Sequence, residues 1–191
     1  ISMGADNLAE MMTAMDSEAM VVVGGEALTE MAGTMTGEAL AGMSSDAAGA
    51  MIETMGADAA LAGMGGEQLG GMLGAMGAGH IGEAFTDQAL SDVAGKMTGE
   101  DVHMLDGESA AMMLEAVITV MAPGEVGNKG SAVDAGMVAG MLGSMDASQV
   151  QDAITPEMAA DLAGKMEASD VALLDSDSAA AMMGIMGAES A

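Results

Sequence analysis

Twenty-six methionines stand in a chain of 191 residues, and several recur four positions apart: Met51 and Met55, Met72 and Met76, Met141 and Met145. On a helix that spacing sets two thioethers on one face, and thioethers are soft ligands suited to Cu(I). A buried stripe needs the same spacing, so the pairs read as core before they read as ligands. Only His80 and His103 can supplement the sulfurs. His103, beside Met104 and near Met97, gives the copper candidate: His103, Met97 and Met104. The corresponding position in an internal duplicate is Ala172, so the candidate set does not recur.

Other chemistries find less support. The run Asp175-Ser176-Asp177-Ser178 begins like a calcium loop, but it lacks the following acid, the glycine and the distant glutamate of an EF-hand. It reads instead as a helix cap. No Gly-x-Ser-x-Gly elbow, phosphate loop ending in Gly-Lys-Ser/Thr or His-Glu-x-x-His is present. With no cysteine there is no disulfide, thiolate zinc site or thiol nucleophile. The expectation is a protein that is not an enzyme, with no catalytic residue, no cofactor and no dedicated metal site.

Charge narrows the partners. Thirty acidic side chains face three lysines, Lys96, Lys129 and Lys165, for a formal net charge of −27. Nucleic-acid affinity comes from lysine and arginine displacing counterions, so that class is excluded. Diffuse attraction of cations is expected. The longest uncharged stretch, residues 68–82, is too short and glycine-rich for a membrane span. Acidic chains poor in apolar residues stay disordered, but 51% of these residues are hydrophobic, enough to bury a core.

The elements that must position these side chains are short helices in a repeat. An acidic residue is followed nine positions later by methionine at Asp6/Met15, Glu26/Met35, Asp46/Met55, Glu67/Met76, Glu157/Met166 and Asp177/Met186. The repeat is about 20 residues long, and each unit reads as a pair of helices. A shift of 69 also lays residues 65–117 over residues 134–186, most densely Asp92-Val93-Ala94-Gly95-Lys96-Met97 over Asp161-Leu162-Ala163-Gly164-Lys165-Met166. The surplus falls on an inserted loop at 122–133, so residues 1–121 and 134–191 form one continuous repeat domain around it.

Start signals support helices. Ser44-Ser45-Asp46, Thr86-Asp87, Thr155-Pro156-Glu157 and Asp175-Ser176-Asp177 combine a capping side chain with acid, or proline, in the first turn. Many of the carboxylates are explained by these positions without a ligand. Helices of six to ten residues are marginal alone, so stability must come from stacking on neighbours. Gly33, Gly42, Gly74, Gly95, Gly143 and Gly164 fall inside the expected helices, where alanine is better by about 1 kcal/mol. Close helix approach is the expected compensation, with methionine filling the gaps left by a chain that has one aromatic residue, Phe85.

The cadence Thr155-Pro156-Glu157-Met158-Ala159-Ala160-Asp161-Leu162-Ala163-Gly164-Lys165-Met166 resembles the short-helix repeats in the N-terminal superhelical domain of MgtE-type magnesium transporters and of flagellar motor switch proteins. That family pattern is rich in leucine and arginine; methionine and glycine replace them here. The resemblance implies a curved helical superhelix and an acidic face that senses cations, and it carries over no site residue.

The reading is an all-α solenoid of about nine helical-hairpin units, acting as a structural or interaction protein: a scaffold, an accessory subunit or a self-assembling component. Protein partners or self-association are expected, helped by the nearly continuous apolar run at residues 179–186. The alternative is an extracytoplasmic protein binding Cu(I) or divalent cations. Absent thiols and scarce lysine point to an extracellular or periplasmic setting. The opening Ile1-Ser2-Met3, without a basic segment, reads as a processed or trimmed N-terminus.

Overall fold

The computed structural model describes residues 5–121, 125–128, 131 and 133–188. Residues 122–124, 129, 130 and 132 of the expected inserted loop, Lys129 among them, lie outside the described residues, as do the first four. The all-α expectation is met: fifteen helices and no strand are found among the described residues. They are α1 (Ala5–Thr13), α2 (Ser17–Val23), α3 (Gly25–Thr34), α4 (Gly37–Ala41), α5 (Ser45–Met55), α6 (Ala57–Gly63), α7 (Gly66–Ala84) and α8 (Asp87–Ala94). There follow α9 (Gly99–Val102), α10 (Gly107–Val120), α11 (Ala135–Ser144), α12 (Ala147–Ala153), α13 (Pro156–Lys165), α14 (Ala168–Val171) and α15 (Ser176–Ala188).

Capping sets the boundaries. Thr36, Ser44, Thr86 and Thr155 each accept the backbone N–H three residues on, at Ala39, Ala47, Ala89 and Met158, and Pro156 occupies the first turn of α13. Asp16, Asp106, Asp134 and Asp146 cap α2, α10, α11 and α12 in the same way. Each bond satisfies an amide that the helix itself cannot. The β-branched runs Val21-Val22-Val23 and Val117-Ile118-Thr119-Val120 lie in α2 and α10 despite their preference for strands; Val117 is buried there, whereas Val21, Val22 and Val23 are exposed. In α7 the backbone departs from helix at Gly77, whose φ of 71° suits glycine. Its counterpart 69 positions on, Asp146, is the N-cap that separates α11 from α12. One kinked helix in the first copy is therefore two helices in the second.

Packing follows a rule that the repeat alone does not state. α1 packs on α4, α2 on α5, α3 on α6, α4 on α7, α7 on α10, α11 on α14 and α12 on α15, so in these pairs each helix meets the third one along. Hydrogen bonds record the same offset. The Gly37 N–H reaches Glu67, 30 residues on; the Ser45 hydroxyl reaches the Met76 carbonyl, 31 on; and Gln68 and Ser178 reach back 33 residues to the carbonyls of Met35 and Met145. Across the segment between α10 and α11 the separation lengthens, with Ser144 to Val102 at 42. There the Gly127 N–H donates to the Val133 carbonyl at 2.9 Å, and Val126 and Val133 are buried.

Glycine permits the closest of these approaches. A side chain at Gly71 would meet the backbone of Gly37, at Gly74 the Met104 carbonyl, at Gly140 the backbone of Gly99 and at Gly143 the Leu173 carbonyl. The expected compensation holds at Gly33, Gly74 and Gly143. It fails at Gly164, around which a Cβ would meet nothing within 4 Å, and Gly42 serves as the C-cap of α4.

One apolar cluster runs from Ala9 to Met182 through nearly every helix. Among the described residues fifteen methionines are buried and two, Met11 and Met183, are exposed. The flexible thioether fills space that Ala and Gly leave between close helices, and each such side chain contributes about 1.5–3 kcal/mol on burial. No carboxylate is in this core; the buried polar residues described are Ser91, Ser109 and Ser178. Desolvating an unpaired carboxylate costs more than a short helix returns, so the acids stay at the rim.

Candidate functional site

One concavity lies where α5 meets the second limb of α7. It has a volume of 460 Å³, a floor of Gly49, Ala50, Ala57 and Ala84, and a rim carrying Asp46, Glu53, His80 and Glu83. The kink at Gly77 creates this arrangement. It leaves the Met76 carbonyl without a regular helical partner, and the Ser45 hydroxyl donates to it. His80 Nδ1 stands 3.2 Å from the same carbonyl and 3.0 Å from Ser45 Oγ. The imidazole lies against α5 because residue 49 has no side chain: a Cβ there would stand 2.8 Å from His80 Cδ2.

Serine, histidine and aspartate meet here, and donor counting decides what they can do. The Ser45 proton is committed to the Met76 carbonyl, so Nδ1 satisfies both neighbouring oxygens only when it carries a proton. No ring lone pair then faces Ser45, and the pair is not arranged as nucleophile and base. Nε2 faces outward, 3.9 Å from the fully exposed Asp46 carboxylate. His80 acts as a clamp on the kink, with its free edge turned to an acidic rim.

A second groove repeats the geometry between α10 and α12, with a volume of 570 Å³. Ala111 and Glu115 stand as far from their N-cap Asp106 as Gly49 and Glu53 do from Ser44. Across the groove, Gln149, Asp152 and Ala153 take the places of His80, Glu83 and Ala84. Gln149 caps α12, its Oε1 accepting the Asp146 N–H at 2.8 Å. A third groove, of 440 Å³, lies between α1 and α4 and carries Glu10 and Glu38. All six of Glu10, Glu38, Glu53, Glu83, Glu115 and Asp152 are exposed, and no described lysine lines any of the three grooves. Lys96 donates to the Leu61 carbonyl, and Lys165 to the Val126 carbonyl at 2.9 Å and the Asp161 carboxylate at 2.7 Å.

The copper candidates are placed differently from one another. Met97 is buried with its methyl against Gly70, Met104 is half-buried, and His103 is exposed as the C-cap of α9. Met97 also lines a separate 480 Å³ concavity with Glu100, Asp134 and Asp170; His103 and Met104 do not. No group of three or more His, Asp or Glu side chains suited to a metal ion occurs among the described residues. At the sequence resembling a calcium loop, Asp175 accepts the Ser178 N–H at 2.7 Å, as a cap does. That bond holds the Asp175 carboxyl below its ordinary range. The Ser148 hydroxyl and then the Gln149 N–H do the same for Asp146.

Sequence reasoning missed the groove residues Glu53, Glu83, Glu115 and Asp152. The available signal was the recurrence of Glu83 as Asp152 in the duplicate, which the composition of a uniformly acidic chain conceals; Glu53 and Glu115 share only their distance of nine residues from an N-cap. It also missed the clamp, because Gly77, three residues before His80, looks like any other glycine in the sequence. No helix among the described residues is long and apolar enough to cross a membrane. Comparison with protein-family models, curated proteins and solved structures found no match.

Proposed function

We propose that the protein is an acidic, methionine-rich helical-repeat scaffold that acts through its surface, as an accessory subunit or a self-assembling component. The observation that carries this reading is the narrow range of sequence offset in the long-range side-chain hydrogen bonds, 30 to 35 residues wherever the loop after α10 does not intervene. Such an offset would arise in a solenoid of modules of about 20 residues if each segment leaned on one about a module and a half further along. The alternation of longer and shorter helices from α3 to α6 agrees with it. Side chains that could do chemistry sit on this array as caps and rims, and the interior holds only packing.

Self-association is supported by apolar side chains left in water. Val21 and Val22 of α2 are 65% and 86% exposed, and Val171 and Met183 of α14 and α15 are 52% and 63% exposed. A charge of −27 opposes contact between copies at low ionic strength, so salt controls the equilibrium. Static light scattering across protein concentration, in low and high salt, tests the self-assembling form of this reading. The weight-average mass rises above 18.6 kDa as salt and concentration increase; a mass that stays at the monomer value under every condition contradicts it. An extracellular or periplasmic setting, where a chain without thiols loses nothing to oxidation, belongs to the same proposal.

A further inference from the structure

We infer that the repeated grooves are docking sites for a lysine- or arginine-rich segment of a protein partner; this deepens the scaffold reading and rests on its premise that the surface does the work. Each groove joins two features that a long basic side chain needs together. The linings are small or apolar between the acids, with Gly49, Ala50 and Ala84 in the first groove and Ala111, Ile118 and Ala153 in the second, and can take an aliphatic stem. The rims carry carboxylates from two different helices, Glu53 with Glu83 and Glu115 with Asp152, which can take the cationic head.

Charge complementarity selects this occupant over others. No described lysine lines the grooves, and Lys96 and Lys165 make their own bonds elsewhere, so among the described residues no lysine supplies the rims with a countercharge. A metal ion fits less well. It needs several oxygen ligands converging within about 2.0–2.6 Å, and no group of three or more suitable side chains occurs among the described residues. Volumes of 440 to 570 Å³ also exceed what one ion occupies and suit a side chain with part of its backbone. Recurrence at α1/α4, α5/α7 and α10/α12 fits a partner that presents several basic residues along one segment.

The test compares two variants of equal charge in the full-length protein. One carries Glu53→Gln, Glu83→Gln, Glu115→Gln and Asp152→Asn; the other carries Glu18→Gln, Glu26→Gln, Glu30→Gln and Glu157→Gln, all exposed and away from the grooves. The probe is a fluorescent lysine/alanine helical peptide, read by anisotropy at about 0.15 M salt, where a Debye length of about 8 Å suppresses distant charge. Circular dichroism confirms that both variants remain helical. The groove variant is expected to bind at least about tenfold more weakly and the control within about twofold of the parent, because only close pairs survive that screening. Equal weakening of the two variants overturns the inference, since the peptide then reads net charge alone. No saturable binding to the parent overturns it as well, as does stoichiometric Ca²⁺ uptake abolished in the groove variant with peptide binding unchanged. The peptide titration uses dilute protein, so its failure leaves the light-scattering outcome standing and the reverse also holds.

Discussion

The groove at His80 and the groove at Gln149 each take one wall from the duplicated sequence, the second limb of α7 and α12, yet solve one problem in two ways. In both, a chain break after a methionine leaves a carbonyl to be satisfied. The second copy breaks the helix fully. Asp146 caps α12, Gln149 returns a bond to Asp146, and the Ser178 hydroxyl donates to the Met145 carbonyl at 3.0 Å. The first copy only bends at Gly77, and its Met76 carbonyl is taken by Ser45 and His80. The hydroxyl of Ser109, the counterpart of Ser178, is then left buried without a hydrogen-bond partner. The difference teaches that the duplicate conserves the demand for a donor at this junction but not the residue that meets it. Gly49 with His80 and Ala111 with Gln149 are alternative fittings of the same junction.

The comparison is sharpened most by glycines that both copies share. Gly71→Ala and Gly140→Ala each force a methyl into the backbone of another turn, at Gly37 and Gly99, and backbone cannot step aside as a side chain can. Each is expected to cost about 3 kcal/mol in urea unfolding, near the upper end for overpacking. Gly164→Ala, in open space, should instead stabilise by about 0.5–1 kcal/mol through helix propensity. Equal effects at all three would remove close approach as the reason for the glycines.

The serines come next. Ser178→Ala strands the Met145 carbonyl and should destabilise by about 1–2 kcal/mol, whereas Ser109→Ala removes an orphan hydroxyl and should be neutral or stabilising by up to about 1 kcal/mol. A matching loss at Ser109 would show that the two copies are satisfied alike. A double-mutant cycle then probes the clamp. Gly49→Ala should cost about 1 kcal/mol beside His80 and nothing in a His80→Gln background, giving a coupling of about 1 kcal/mol.

The smallest effect is the response to acid. Asp146 and Asp175 have folded-state carboxyls held below the ordinary aspartate value of 3.8, so the unfolded chain binds their protons first as pH falls. Their contribution is present above that value and disappears as pH drops through the lower folded values. Asp146→Asn with Asp175→Asn keeps a capping oxygen but removes the titration, so stability should decline less steeply below about pH 4. An unchanged slope in acid urea titrations would show that these caps carry no linkage.

Much of the local structure was legible because its causes are local. Ser44, Thr86 and Thr155 cap helices where the start signals place them, and the nine-residue acid-to-methionine spacing marks residues on the buried faces of α3 and α5. Gly77 was not legible, since a glycine within Gly-Ala-Gly reads like any other until its φ is known. Nor was the pairing of His80 with Gly49 and Ser45, which meet only because α5 packs on α7. Periodicity tells which face of a helix is buried; it does not tell what covers that face. The groove carboxylates were hidden for the opposite reason, being four among thirty acids with the same local appearance.

Nuclear Overhauser contacts between glycine α-protons in isotope-labelled protein test the narrow range of offset directly. Cross-peaks linking Gly71 with Gly37 and Gly140 with Gly99 are predicted, together with a contact from the Gly37 amide to the Glu67 side chain. Absence of these peaks, with contacts instead joining segments about 20 residues apart or the first helices to the last, would contradict the stacked arrangement on which the grooves and the scaffold reading both stand.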